Sequence, residues 1–98
     1  MTRRAIHPGE FLADELAELG LSAAELARRI KVPASRVSQI LAGKRTLSAD
    51  TALRLGRFFG TGPQIWLNLQ KAYELDLAQN ALGQELESIA QRPLEPIP

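Results

Sequence analysis

Residues 21–48, LSAAELARRIKVPASRVSQILAGKRTLS, restrict the fold of this chain more than any other stretch of its sequence. Ser22 and Glu25 have the spacing of a capping box, which predicts that a helix begins at Ser22. Pro33 disfavours a helical conformation at the residue before it, so this helix is predicted to end shortly before the proline. A second short helix is predicted over about 34–42. The segment therefore reads as two short helices joined by a tight turn.

Helical signals continue on both sides of this pair. Leucines at helical spacing predict a first helix over about 8–19, and Ser48 is placed to cap a fourth helix that stops at Gly60. No stretch has the alternation that is typical of a strand. The chain is therefore expected to be all-α, with five or six helices in one domain that spans residues 1–98.

A fifth helix is predicted to open a C-terminal helical extension over about 62–91. Thr61 and Gln64 have capping-box spacing at its start. Trp66 and Tyr73 lie seven residues apart on this helix, and such spacing favours a place in the core over a ligand cage. Three prolines within residues 92–98 predict an extended and flexible tail.

The second half of this extension carries an apolar stripe that is the best candidate for an interface. After Tyr73 the apolar positions shift and Gly83 interrupts them, which indicates a change of contact surface or a break near 80–84. A short chain has little core left to cover the stripe, so we expect a homodimer; folding back on the first and fourth helices is the alternative. The candidate dimer residues are Leu75, Ala78, Leu82, Leu86 and Ile89.

The composition excludes several kinds of site. The chain has 98 residues, of which 45% are hydrophobic and 23% charged, and it has no cysteine, so neither a disulfide nor a thiolate metal site is possible. No apolar run approaches the roughly 20 residues that a membrane span needs, and no signal-peptide core follows the N-terminal arginines. A cytoplasmic protein without a membrane partner is expected.

Positive charge is concentrated in the predicted helix pair. Six basic and no acidic residues lie within 26–49, whereas acids dominate from Glu74 onward. Such a segment in a chain of net charge +1 favours one polyanion-binding surface, although a solvated face of a plain helical bundle is the alternative. Gln39 can pair with adenine and Arg36 with guanine, so a helix-turn-helix over about 22–42 is predicted to bind double-stranded DNA.

The quartet His7-Pro8-Gly9-Glu10 contains the only histidine and raises the question of a metal or acid–base site. Proline suits the first helical position, which places His7 at the N-cap and Glu10 in the positive first turn, where backbone amides are free. A metal ion would need at least two further ligands, and none is suitably placed. We therefore predict a helix start. No catalytic set is recognisable either, so no enzymatic activity, metal, cofactor or small-molecule ligand is expected.

The helix pair resembles a known family. Its ELA helix, turn, V-S segment and G-K-R loop are similar to the helix-turn-helix of the XRE, or phage-repressor-like, regulators. The HPGE start and the pattern P-x-x-W-L-x-L-Q-x-x-Y, which begins at Pro63, narrow the resemblance to HigA-type antitoxins, which are related to VapI-type regulators. The resemblance covers about residues 6–77.

The resemblance implies a homodimer that represses its own promoter at a palindromic operator. It also implies a partner, a small ribonuclease toxin similar to RelE and HigB, which the protein neutralises. By position, it implies base reading by Ser35, Arg36 and Gln39. Phosphate contacts are implied for Ser22, Ser38, Lys44 and Arg45.

Two positions depart from the pattern of the family. Ala23 stands where many members carry a phosphate-binding glutamine, and Pro33 stands where many carry a capping serine. Each replacement removes one polar contact that the resemblance would otherwise imply. The sequence also leaves two other functions open, namely a solitary repressor without a toxin and a toxin-binding module with only residual affinity for DNA.

Overall fold

A computed structural model describes residues 4–93, which form six α-helices and no strand. The helices are α1 (Pro8–Leu19), α2 (Ala23–Ile30), α3 (Ala34–Leu41), α4 (Ala49–Phe59), α5 (Gln64–Leu82) and α6 (Gln84–Glu87). This architecture confirms the expected all-α fold. Residues 94–98, most of the predicted flexible tail, lie outside the described residues, as do residues 1–3.

The helix starts follow the capping signals of the sequence. His7, Ser22 and Ser48 are the N-caps of α1, α2 and α4, and the side chain of each accepts a hydrogen bond from a backbone amide of the first turn. The Ser22 Oγ lies 3.1 Å from the amide nitrogen of Glu25. Pro33 begins α3 with a fixed φ of −60° and without a side-chain cap. Local sequence therefore sets where these helices begin.

Helices α1 through α5 share one hydrophobic core, and Trp66 is its largest residue. The Trp66 indole is fully buried, with its ring centroid 5.3 Å from that of Phe11 and 5.5 Å from that of Phe59. This confirms that the aromatic residue belongs to the core. The remaining buried apolar residues of the core are Leu12, Leu16, Leu26, Ala27, Ile30, Val37, Ile40, Leu47, Ala52 and Leu55.

The start of α5 differs from the prediction. Pro63 is its N-cap and makes no side-chain hydrogen bond, so the capping box predicted for Thr61 and Gln64 does not form. Instead, the Thr61 Oγ1 accepts a hydrogen bond from the Trp66 indole nitrogen at 3.1 Å. A buried indole N–H without a hydrogen-bond acceptor lowers stability. The hydrogen bond from Trp66 therefore fixes the position of the Thr61 hydroxyl. The Gln64 amide donates to the Asn68 side chain on the exposed face.

The first turn of α1 lies directly against the last turn of α3. A Cβ atom at Gly9 would overlap the carbonyl oxygen of Ile40 and stand 2.9 Å from its carbonyl carbon and 3.1 Å from the Leu41 Cα. Only glycine allows this approach, because the obstructing atoms belong to backbone that cannot move aside. The N-terminal quartet is therefore the surface on which the end of α3 rests.

The C-terminal extension projects from this core. The principal extents of the molecule are 58 × 30 × 22 Å, and every residue from Leu75 to Pro93 except Asp76 is exposed. Gly83, with a φ of +50°, ends α5, which confirms the break predicted near 80–84. The apolar stripe does not fold back on α1 and α4, and its leucines face solvent. Within residues 4–93, no helix has both the length and the apolarity needed to cross a bilayer.

We predict that Gly9→Ala lowers the free energy of unfolding by about 1–3 kcal/mol, because the added methyl group overlaps the backbone of α3. Ala17→Ser adds one heavy atom at an exposed position of the same helix and should change stability by less than about 0.5 kcal/mol. Urea denaturation followed by circular dichroism measures both variants. Equal stabilities of the two variants would contradict the close approach of α1 to α3.

Candidate nucleic-acid interface

Helices α2 and α3 pack against each other as a helix-turn-helix. Ala27 on α2 and Val37 and Ile40 on α3 are buried between them, and the small Ala27 side chain lets the two helices cross closely. The turn is held by a hydrogen bond from the Val32 amide to the Ala27 carbonyl at 3.0 Å. With one face of α3 buried in this way, the opposite face is presented to solvent, as a helix that enters the major groove requires.

The three side chains assigned to base reading differ in how far they are exposed to solvent. Ser35 and Gln39 are exposed on the outer face of α3. Arg36 is only 27% exposed, and its Nη1 lies 3.1 Å from the Oδ1 of Asp50 on α4. Ser35 and Gln39 are therefore open to solvent, whereas Arg36 starts from an intramolecular ion pair.

Asp50 and Arg54 on α4 together connect this helix to α3 and to the end of α2. The Asp50 Oδ1 accepts hydrogen bonds from Arg54 Nε at 2.8 Å and from Arg36. The hydrogen bond from Arg54, and to a smaller extent the charges of Arg54 and Arg36, hold the pKa of Asp50 below its usual value, so the carboxylate is ionised at neutral pH. Arg54 Nη1 also donates to the carbonyls of Ile30 and Lys31, which joins α4 to the end of α2.

The residues assigned to phosphate contact lie around the same surface. Lys44 is exposed in the loop after α3, and the Ser22 hydroxyl, which accepts a hydrogen bond from the Glu25 amide, keeps its own hydrogen available for a phosphate. Ser38 donates to the Ala34 carbonyl within α3 at 3.1 Å. Arg45 is closer to the base-reading set than its assignment implies, because its Nη1 lies 2.9 Å from the Oε1 of Gln39.

His7 is buried directly beneath this loop. Its side chain is 7% exposed, its Nδ1 accepts a hydrogen bond from the Gly9 amide at 2.9 Å, and its Nε2 lies 3.2 Å from the Arg45 carbonyl oxygen. The ring also meets Tyr73 edge to face, with the centroids 4.8 Å apart. Both ring nitrogens are thus engaged by backbone groups. Among the described residues, no group of three or more His, Asp or Glu side chains could hold a metal ion.

Glu10 has the backbone partner that the sequence indicates and an arginine in addition. Its carboxylate interacts with the backbone of His7, the N-cap residue, and accepts a hydrogen bond from Arg4 at 2.7 Å. This hydrogen bond is the main reason that the pKa of Glu10 is lowered. The backbone hydrogen bond with His7 lowers this pKa further, as expected for an acidic residue at the third position of a helix.

One of the contacts that organise this surface could have been predicted from the sequence, and two could not. Asp50 and Arg54 have the i, i+4 spacing at which opposite charges pair on a helix, so their ion pair was predictable. The Arg36–Asp50 and His7–Arg45 contacts join residues 14 and 38 positions apart, and no local pattern marks them. These contacts depend on how the helices pack.

Comparison with known proteins places this geometry in a family. The family model described as helix-turn-helix matches residues 12–66. Virulence-associated protein I of Dichelobacter nodosus is 51% identical over 76 residues, which cover 76% of this chain and 70% of that protein. An addiction module antidote protein of the HigA family from Coxiella burnetii is 48% identical with a TM-score of 0.88, and covers 93% of this chain and 100% of its own.

A third relative was solved together with DNA. The antitoxin HigA of Pseudomonas aeruginosa, whose structure contains the higBA promoter, is 48% identical to this chain with a TM-score of 0.84. The match covers 94% of this chain and 100% of that protein. The chain therefore belongs to the helix-turn-helix family and, within it, to the branch that contains the HigA-type antitoxins.

Proposed function

We propose that this protein is a dimeric transcriptional repressor that binds an operator in its own promoter and acts as the antitoxin of a ribonuclease toxin encoded beside it. The observation that carries the DNA half is the outer face of α3, whose exposed Ser35 and Gln39 adjoin the basic loop at Lys44. The relative from Pseudomonas aeruginosa, which shares this fold, is bound to promoter DNA in its structure. Such a protein would act in the cytoplasm, without an enzymatic step.

In this proposal, α3 enters the major groove and its side chains divide the work of recognition. Ser35, Arg36 and Gln39 contact base edges, and Arg36 exchanges the Asp50 carboxylate for a guanine. Phosphate oxygens bind the loop cations and the serine hydroxyls, which fix the register of the domain without reading sequence. Because these contacts displace counterions, affinity should fall steeply as the salt concentration rises. The phosphate-contacting residues are Ser22, Ser38, Lys44 and Arg45.

We predict that Gln39→Ala lowers the affinity for the upstream DNA of the gene by about 10- to 100-fold and leaves the affinity for random DNA nearly unchanged. The loss arises because one bidentate base contact disappears while the phosphate contacts remain. Gln64→Ala makes the same change at an exposed position at the start of α5, outside the apolar stripe, and should alter neither affinity. Fluorescence anisotropy with both duplexes measures the ratio. An unchanged ratio for Gln39→Ala would remove this residue from the base-reading set.

The second part of the proposal is self-association through the apolar stripe. Leu75, Leu82, Leu86 and Ile89 are exposed together on the projecting extension, although large apolar side chains are normally covered. A two-fold dimer covers such a stripe and places two copies of α3 about 34 Å apart, which is one turn of DNA. The exposed Ala78 lies within the same stripe and allows close approach of a second helix.

We predict that Leu75→Glu converts the dimer to a monomer, because it places a charge within an apolar interface. Leu53→Glu is the matched control, since both leucines are 60% exposed but Leu53 lies on α4, outside the stripe. Analytical ultracentrifugation at micromolar concentrations measures the association state. A dimer that survives Leu75→Glu, or one that only Leu53→Glu disrupts, would move the interface away from the stripe.

The third part is the toxin, and the distribution of charge supports it. DNA binding uses the basic loop and α3, which leaves the acidic outer face of α1, with Asp14 and Glu18 exposed, available to a basic protein. A ribonuclease that binds RNA carries the complementary positive surface. The alternative, a solitary repressor, uses the same DNA surface and needs no partner.

We predict that the product of the adjacent reading frame copurifies with this protein and that its ribonuclease activity is lost in the complex. Coexpression followed by size-exclusion chromatography and an RNA cleavage assay tests the inhibition. A gel shift with the upstream DNA, with and without the partner, then tests the link to repression. If no product of the neighbouring frame binds while the upstream DNA still does, the protein is a solitary repressor. If a toxin binds and the DNA does not, it is chiefly an interaction module.

A further inference from the structure

We propose that His7 is a positioning residue for DNA recognition, because it holds the loop that presents Arg45 to Gln39. The inference deepens the proposed function and rests on its DNA-binding part. Two contacts form a continuous chain from the interior to the surface. The imidazole binds the Arg45 carbonyl at 3.2 Å, and the Arg45 guanidinium binds the Gln39 Oε1 at 2.9 Å.

The hydrogen bonds of His7 determine its tautomer. The Gly9 amide can only donate, so Nδ1 of the ring must carry a free lone pair to accept it. In a neutral imidazole the proton then resides on Nε2, which donates to the Arg45 carbonyl oxygen. The N-cap role and the loop contact therefore depend on the same protonation form, and one buried ring links the start of α1 to the loop after α3.

The loop is otherwise held at its two ends. The amides of Gly43 and Lys44 bond to the carbonyls of Ile40 and Gln39, and the Leu47 amide donates to the buried Gln70 side chain at 2.9 Å. Between these anchors, His7 supplies the hydrogen bond to Arg45 itself. Gly43 lies next to the ring, where a Cβ would make an ordinary contact 3.8 Å from the His7 Cγ, and its φ of +73° is the reason that the loop needs glycine at this position. The imidazole thus fixes the middle of the loop.

The Arg45–Gln39 hydrogen bond has a direct consequence for base reading. Because the Gln39 Oε1 accepts a hydrogen bond from Arg45, the orientation of the Gln39 amide group is restricted before any base is bound. A long flexible side chain loses conformational entropy when it binds, and this contact removes part of that loss in advance. Arg45 therefore acts on specificity through Gln39, in addition to any phosphate that it contacts.

The experiment separates the cap of α1 from the loop contact. His7→Asn and His7→Ser keep a short N-cap acceptor for the Gly9 amide, but neither side chain extends far enough to reach the Arg45 carbonyl. The probe is a duplex that the wild-type protein selects from a random-sequence pool, compared with a scrambled duplex of equal length. The ratio of the two affinities is the readout, because a purely structural loss lowers both affinities together. Tyr73→Phe keeps the ring that packs on His7 and serves as the control.

We expect His7→Asn and His7→Ser to lower the ratio by about two- to tenfold, the value of one net hydrogen bond, and Tyr73→Phe to leave it unchanged. In an Arg45→Ala background, replacing His7 should lower the ratio no further, because the chain of contacts is already broken. In the free protein, the NMR signals of the Gln39 side-chain amide should shift in His7→Asn and in Arg45→Ala alike.

Three results would overturn the proposal. They are an unchanged ratio in both His7 variants, an equal loss in the Arg45→Ala background, and Gln39 amide signals that respond to Arg45→Ala but not to His7→Asn. The NMR measurement needs no DNA, so it decides the matter even if a variant binds poorly. If the wild-type protein selects no sequence from the pool, the DNA-binding part of the proposed function fails, and this proposal fails with it. Selection by the wild type together with an unchanged ratio in the variants refutes the role of His7 alone.

Discussion

The contact between the first turn of α1 and the last turn of α3 is the constraint on which the DNA-facing surface depends. It brings the backbone of Gly9 against that of Ile40, with no side chain between them. Backbone atoms cannot adjust as flexible side chains do, so the separation of the two helices is fixed closely. The outer face of α3 and the loop after it are therefore supported from behind by the N-terminal quartet. The quartet His7-Pro8-Gly9-Glu10, whose sequence raises the question of a metal or acid–base site, instead supports the helix that forms the binding surface.

Local features account for what the sequence predicts well. Capping residues and the Pro33 break act within one helical turn, so the starts of α2, α3 and α4 could be predicted within a residue or two. The predicted box at Thr61 was wrong because α5 begins later, with Pro63 as its N-cap, and the Thr61 hydroxyl binds the buried Trp66 indole instead. The capping-box rule considers only the spacing of residues along the chain, so it cannot include a tertiary contact of this kind.

The candidate site shows the same division. An exposed Gln39 on a short helix could be predicted from periodicity, because one face of α3 is apolar and the other polar. The ion pair of Arg36 and the guanidinium beside Gln39 could not, since each depends on the packing of elements that are distant in sequence. The roles of the base-reading and phosphate-contacting residues remain predictions that rest on the family resemblance. The structure shows which intramolecular hydrogen bonds and ion pairs each of these side chains would keep or exchange when DNA binds.

The last helix of the extension is too short to be stable by itself. Helix α6 has only four residues, none of them buried, and it follows Gly83, whose φ of +50° ends α5. A single helical turn is unstable in water unless another surface packs against it. Folding of this segment is thus tied to whatever covers Leu86, so its helicity should vary with protein concentration or with an added partner. If a second copy or a partner packs on Leu86, the backbone chemical shifts of residues 84–87 should report that contact directly.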